Sequence, residues 1–134
     1  MDFGYIYLVE LKGYRGKESL YKIGKTTCIS ERIKGIEWEY SGIEKVVYTH
    51  TFHAIDNTER FLHWCFSDKR YKGTHHREIF YLDETDLLVY SLVVELIDDL
   101  EHKAIQSGRD LFLRISDTIS PSEFRSAIRE KLES

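Results

Sequence analysis

The sequence is poor in residues that staple or bend a chain. Its 134 residues hold one proline and two cysteines. With a single proline there is no proline-rich linker, and no repeat or low-complexity tract stands in for one. Cys28 and Cys65 lie far apart and form no CxxC pair. That excludes a disulfide framework and a cysteine zinc site, and leaves a reduced, cytoplasmic protein as the expectation. Long hydrophobic runs are also missing. The longest, Leu87 to Ile97, is interrupted by Ser91 and Glu95 and is too short to cross a bilayer. The N-terminal apolar run is short and flanked by Asp2 and Glu10, so no secretion signal is expected there. No membrane partner is expected.

Bulk positive charge is absent too. A net charge of −4 excludes coating of nucleic acid by total charge. The two parts of the chain differ, however. Residues 1–80 carry 13 Lys+Arg against 11 Asp+Glu, whereas residues 81–134 carry 6 against 12. An anionic partner should therefore meet the first part. What the sequence does have is 42% apolar and 31% charged residues, enough for one domain with its own core.

Hydrophobic patterning organises this core. Phe3 to Leu11 is rich in aromatic and β-branched residues and predicts a strand. Lys12 to Ser19, with two glycines, predicts a loop, and Leu20 to Gly24 a second, antiparallel strand. Ile29, Ile33, Ile36 and Tyr40 share one helical face, stopped by Ser41 and Gly42. A third strand follows over Lys45 to His53, then a helix capped by Asp56 or Asn57 with Leu62, Cys65 and Phe66 inward. Ser67 to His76 is a basic loop and Arg77 to Leu82 a short extended segment. Asp83 caps a helix reaching about Ile105. Leu111 to Ile115 reads as a short strand, and Ser120-Pro-Ser-Glu123 starts the last helix. The order β-β-α-β-α predicts an α+β fold with a small three-stranded antiparallel sheet flanked by helices. Residues 1–83 form the core and 84–134 a helical extension. That extension either packs on the core or, being apolar nearly all round from Leu87 to Ile97, forms a homodimer interface through the 84–105 helix.

Alternation in the first hairpin places side chains. Ile6 and Leu8 share one face; Tyr5, Tyr7 and Val9 share the other. Tyr21 and Ile23 oppose Lys22 and Gly24 in the same way. Matching the apolar sets brings Tyr7 near Lys22, beside the bare backbone of Gly24, where a ligand or another backbone can approach. Taken alone, this describes any strand pair with a lysine blunting its edge. Glu59 adds something less ordinary. It precedes Leu62 by three and Phe66 by seven, so it lies on the inward side of its helix. Burying an unpaired carboxylate there is costly unless a cation or metal meets it. His63 lies one turn on, as a neighbour of that carboxylate or a partly buried histidine. His50 and His53 face opposite ways on their strand and make a poor metal pair.

GYIYL, YKIGKT, ERIK, TERFLH and REIF occur in that order over residues 3–82. Together they resemble the GIY-YIG endonuclease superfamily, in its phage and bacterial branch with a K-I-G second motif. The resemblance implies a hydrolase that cuts DNA phosphodiester bonds with Mg²⁺ or Mn²⁺. It places Tyr7 as general base, Arg32 on the scissile phosphate and Glu59 as the metal-holding carboxylate. Lys22 stands where the second tyrosine usually is, either as a cation on the phosphate or as a base. Lys22 and Arg32 together are expected to pull the Tyr7 phenol below its ordinary pKa. DNA contacts are expected from Lys25, Thr26, Lys34, His76 and Arg77, beside Lys69, Arg70, Lys72 and His75 of the basic loop. Two other readings stay open: a catalytically inactive nucleic-acid-binding module, with Lys22 as the trace of the loss, and a purely structural or interaction domain.

Overall fold

Strands and helices follow the hydrophobic pattern closely enough to sort the core into two layers. The computed structural model describes residues 4–40, 42–52, 55–72, 78–103 and 114–133. In chain order they form β1 (Gly4–Arg15), β2 (Glu18–Thr26), α1 (Ile29–Glu39), β3 (Ile43–Phe52), α2 (Ile55–Cys65), a 3-10 turn (Ser67–Lys69), β4 (Ile79–Leu82), α3 (Glu84–Lys103) and α4 (Pro121–Glu133). Residues 114–118 are also helical.

The α+β fold is as expected, but the sheet has four antiparallel strands, in the order β3-β1-β2-β4. The extra strand is the IFYL segment. Four residues carry too little periodicity to be read as a strand, and their partner, β2, lies 57 to 63 residues away in the register Lys22↔Ile79 to Ser19↔Leu82. The first hairpin also differs from expectation. Residues 12–15 and 18–19 are strand rather than loop, because a bulge between Glu10 and Tyr14 absorbs the irregularity and Gly16, at φ 58°, makes the tight turn. The strand expected at Leu111 to Ile115 is helical where described; 111–113 lie outside the described residues.

Two apolar clusters sandwich the sheet. Ile6, Leu8, Tyr21, Ile23 and Phe52 face α2, α3 and α4 with Phe61, Leu62, Phe66, Phe80, Val93 and Phe124. Tyr7, Val9, Leu11 and Ile79 face α1 with Ile36, joined by Ile29, Ile33 and Tyr40. The alternation read from β1 thus decides which helix each residue meets. Of α3, Val89, Tyr90, Val93, Val94 and Ile97 are buried within this one chain, and Leu88 remains 56% exposed. The first cluster runs without a break across residue 83.

The helix ends are built locally. The Asp83 carboxylate accepts from Asp86 N–H at 2.9 Å, and Asp86 returns the bond to Asp83 N–H at 3.0 Å. Ser120 and Glu123 make the same reciprocal cap on α4. Arg125, 5% exposed, then anchors α4. It donates to the Cys65 carbonyl at 2.6 Å and grips both Asp68 oxygens at 2.5 and 2.7 Å. Among the described residues no helix is long and apolar enough to cross a membrane.

Candidate functional site

The site lies where β4 stops short. β4 pairs with β2 only up to Lys22, so Gly24 to Thr26 have β1 on one side and an open edge on the other. One further bond, from Ile23 N–H to the Glu78 carbonyl at 3.0 Å, ties the approach to β4 across that edge. α1 covers one face of the edge and α2 the other.

On the α1 side, Tyr7 sits directly opposite Gly24. A Cβ at position 24 would lie 2.5 Å from the Tyr7 Cζ and closer still to its oxygen. Glycine is therefore required by the phenol lying across the strand. The Tyr7 side chain is buried, and its oxygen accepts a hydrogen bond from Arg32 Nε at 3.2 Å. Lys22 is 3% exposed, and its ammonium donates to Glu78 Oε2 at 2.5 Å. It also lies 5.8 Å from the centre of the Tyr40 ring.

On the α2 side, the Glu59 side chain is only 13% exposed. Its Oε1 lies 3.9 Å from Lys25 Nζ, while its Oε2 is buried with no hydrogen-bond partner. His63, one turn along, has Nε2 at 2.8 Å from the Ile23 carbonyl. A carbonyl only accepts, so Nε2 carries the proton and Nδ1 keeps a lone pair. Glu59, His63 and Glu78 each bring one donor atom to within 4.8 Å of the others. A cleft of about 580 Å³ opens beside them, lined by Lys25, Asp56, Glu59, Arg60, His63, Trp64 and Arg70.

The electrostatics bind the two sides together. Burial pushes the Glu59 carboxyl up to about 7; Glu78 adds to this, and Lys25 and Lys22 oppose it. Burial pushes the Tyr7 phenol up to about 12, with Glu78 and Glu59 adding to the rise and the Arg32 bond and charge pulling against it. This corrects the expected lowering of Tyr7. Desolvation of a ring at 1% exposure outweighs one guanidinium, and Lys22 spends its ammonium on Glu78. Burial lowers His63, so the imidazole is neutral near pH 7. Glu78 acts on Tyr7, Arg32, Lys25, Glu59 and His63 alike.

The residues expected to grip DNA divide. Lys25 pairs with Asp56 and approaches Glu59, so its charge is largely engaged within the site. Thr26 accepts from Cys28 N–H and donates to the Cys28 carbonyl, both at 3.1 Å, which makes it part of the turn into α1. Lys34 is exposed on α1. His76 and Arg77 lie outside the described residues. Lys69 is structural, bridging Glu18 at 3.0 Å and Asp86 at 2.6 Å. Glu78, in the sequence only a member of the REIF motif, is the hub of the site. The one signal pointing to it was Lys22, since a lysine on the face of Tyr7 and Val9 needs an anion.

A four-stranded α+β domain with acidic, basic and phenolic groups meeting at one sheet edge defines the class. The chain belongs to the T5orf172 domain family, whose pattern matches residues 4–98, all four strands and most of α3. This family is associated with nucleases. No curated protein and no solved structure matches the chain.

Proposed function

We propose that this chain is a metal-dependent endonuclease module of GIY-YIG type that hydrolyses DNA phosphodiester bonds. One observation carries the reading. Tyr7, Arg32, Glu59 and Glu78 come from four separate parts of the chain, and each acts electrostatically on at least one of the others at the open edge of β2. The residues fit a divalent ion, because Glu59 has a buried oxygen with no partner and such a group is costly without a cation. Mg²⁺ or Mn²⁺ bound there would supply positive charge to the phosphate and to the leaving 3′ oxygen.

The chain's own groups then have distinct tasks. Arg32 spends its Nε on Tyr7, and the remaining guanidinium N–H groups face a phosphate oxygen as permanent donors. Tyr7, as phenolate, takes the proton from the attacking water. Its Arg32 bond favours that form, while burial opposes it most and Glu78 and Glu59 add to the opposition, so positive charge over the two carboxylates removes part of what holds the phenol protonated. Lys22 holds Glu78 in place. Lys34 and residues of the basic loop contact flanking phosphates. A homodimer through the 84–105 helix, covering Leu88, is a subordinate part of this reading, and sedimentation velocity reads it.

Nicking of supercoiled plasmid with and without Mg²⁺ or Mn²⁺ is the test. Wild-type protein should nick only with the ion, and Arg32→Ala and Glu59→Ala should each abolish nicking. Full activity in either variant would overturn the site. A second reading, an inactive nucleic-acid-binding module, is favoured by the raised Tyr7 phenol and the Lys22–Glu78 pair. Salt-dependent DNA binding without nicking in any ion would select it.

A further inference from the structure

We infer that Glu59, His63 and Glu78 form a three-donor site for a divalent first-row transition ion, Mn²⁺ in preference to Mg²⁺, and that Lys22 occupies Glu78 until the ion arrives. Glu59 as a carboxylate ligand belongs to the resemblance already described. His63, Glu78 and the lysine latch do not. The assignment rests on the proposed function for the use of the ion, but not for its binding.

Four observations carry it. Oxygen and nitrogen donors from the three residues lie within 4.8 Å of one another, the spacing of ligands around one ion. Glu59 Oε2 is buried at that cluster with no hydrogen-bond partner, so one ligand position is ready and unspent. The His63 ring is oriented by its Nε2–H bond to the Ile23 carbonyl at 2.8 Å, which leaves Nδ1 as the metal-binding nitrogen. A backbone carbonyl orienting a metal-ligating imidazole in this way is the common supporting contact. The cleft lined by Glu59 and His63 gives an ion an open path to the cluster. An imidazole among the donors decides the ion, since Mg²⁺ takes oxygen and water whereas Mn²⁺ and its neighbours accept nitrogen as well.

Lys22 gives the site a sign that can be read. Its ammonium lies 2.5 Å from Glu78 Oε2 and competes with any cation for that carboxylate. Removing a ligand should weaken binding; removing Lys22 should strengthen it. A lone-carboxylate site at Glu59 would keep its affinity when His63 is replaced.

The experiment titrates metal-free, full-length protein with Mn²⁺ and follows free aqueous Mn²⁺ by electron paramagnetic resonance. Circular dichroism confirms that each variant is folded. Wild-type protein should bind one ion per chain. Glu78→Gln and His63→Gln should each weaken binding by about tenfold or more, and Lys22→Met should tighten it. Mg²⁺ competition should lose less than Mn²⁺ in His63→Gln. Electron spin echo modulation from a directly bonded imidazole nitrogen reads the same ligand in Mn²⁺-loaded wild-type protein, should the variants fail to fold. No Mn²⁺ binding, or binding that depends on Glu59 alone with no imidazole nitrogen coupled to the ion, would overturn the assignment. Nicking supported by Glu59 alone would leave the nuclease reading standing without this site. Three-donor binding without nicking would leave the site standing without the nuclease.

Discussion

Lys22 and Glu78 are 56 residues apart in sequence, yet their charged ends meet at 2.5 Å. The contact is lopsided. The lysine side chain is 4% exposed and the glutamate 37%, so the ammonium depends on the carboxylate far more than the reverse. The β2–β4 pairing produces this meeting, by carrying Glu78 to the end of the ladder beside Lys22.

Removing the two partners should therefore have unequal effects. Glu78→Ala leaves a buried ammonium without its anion and should cost about 2–3 kcal/mol. Lys22→Met leaves a carboxylate that water reaches, replaces a buried charge with an apolar chain of similar length, and should be close to neutral. Urea denaturation of the two variants measures both; equal losses would contradict the asymmetry.

The Glu59 contribution to the stability of the metal-free protein should fall as pH rises toward neutrality. The Glu59 carboxyl is held at about 7, against 4.5 for the ordinary group. The folded state thus binds this proton more tightly than the unfolded state does. The resulting stabilisation is complete below about pH 4.5 and gone above about pH 7. A shift of this size corresponds to about 3 kcal/mol. Thermal melts from pH 4.5 to 8 of wild-type and Glu59→Gln protein should differ by this slope.

Gly24→Ala should disable the site while leaving the fold in place. The added Cβ would push the Tyr7 ring off the strand and away from Arg32. A displacement of about 1 Å is enough to lower a cleavage rate by about a hundredfold. Nicking kinetics beside a circular dichroism spectrum of the variant would separate the two effects. Tyr7→Phe should lose comparable activity with less change in packing, since only the oxygen is removed.

Arg125→Met should do the reverse. It strips the Cys65 carbonyl and Asp68 of their partner at a buried position, for a loss of about 3 kcal/mol in urea unfolding. Arg125 lies on α4, outside the residues of the family match. At temperatures where the variant stays folded, its nicking rate should equal that of wild-type protein.

Much of the framework was legible because it is local. Alternation in β1 puts Tyr7 and Val9 on one face and Ile6 and Leu8 on the other, and the serine and aspartate caps set the starts of α4 and α3. Arg32 and Glu59 could be placed because helical spacing fixes which residues flank a buried stripe. The rest depended on pairing between distant segments. IFYL gave no sign that β2 was its neighbour, so neither the fourth strand nor the position of Glu78 could be read. Nor did the sequence disclose how dry Tyr7 would be. A tyrosine on a strand reads the same whether its ring meets water or, as here, the full packing of Ile36, Val9 and Ile79.

The site divides its parts between two kinds of support. Tyr7, Lys22 and Gly24 ride on neighbouring strands, where main-chain bonds hold their spacing like rungs. Arg32 and Glu59 ride on helices pressed against opposite faces of that ladder. The gap between guanidinium and carboxyl is thus a property of helix tilt, adjustable without breaking a single rung. A body leaning on the outer surface of α1 or α2 would tune the distance between the two groups, and with it the size of what fits between them.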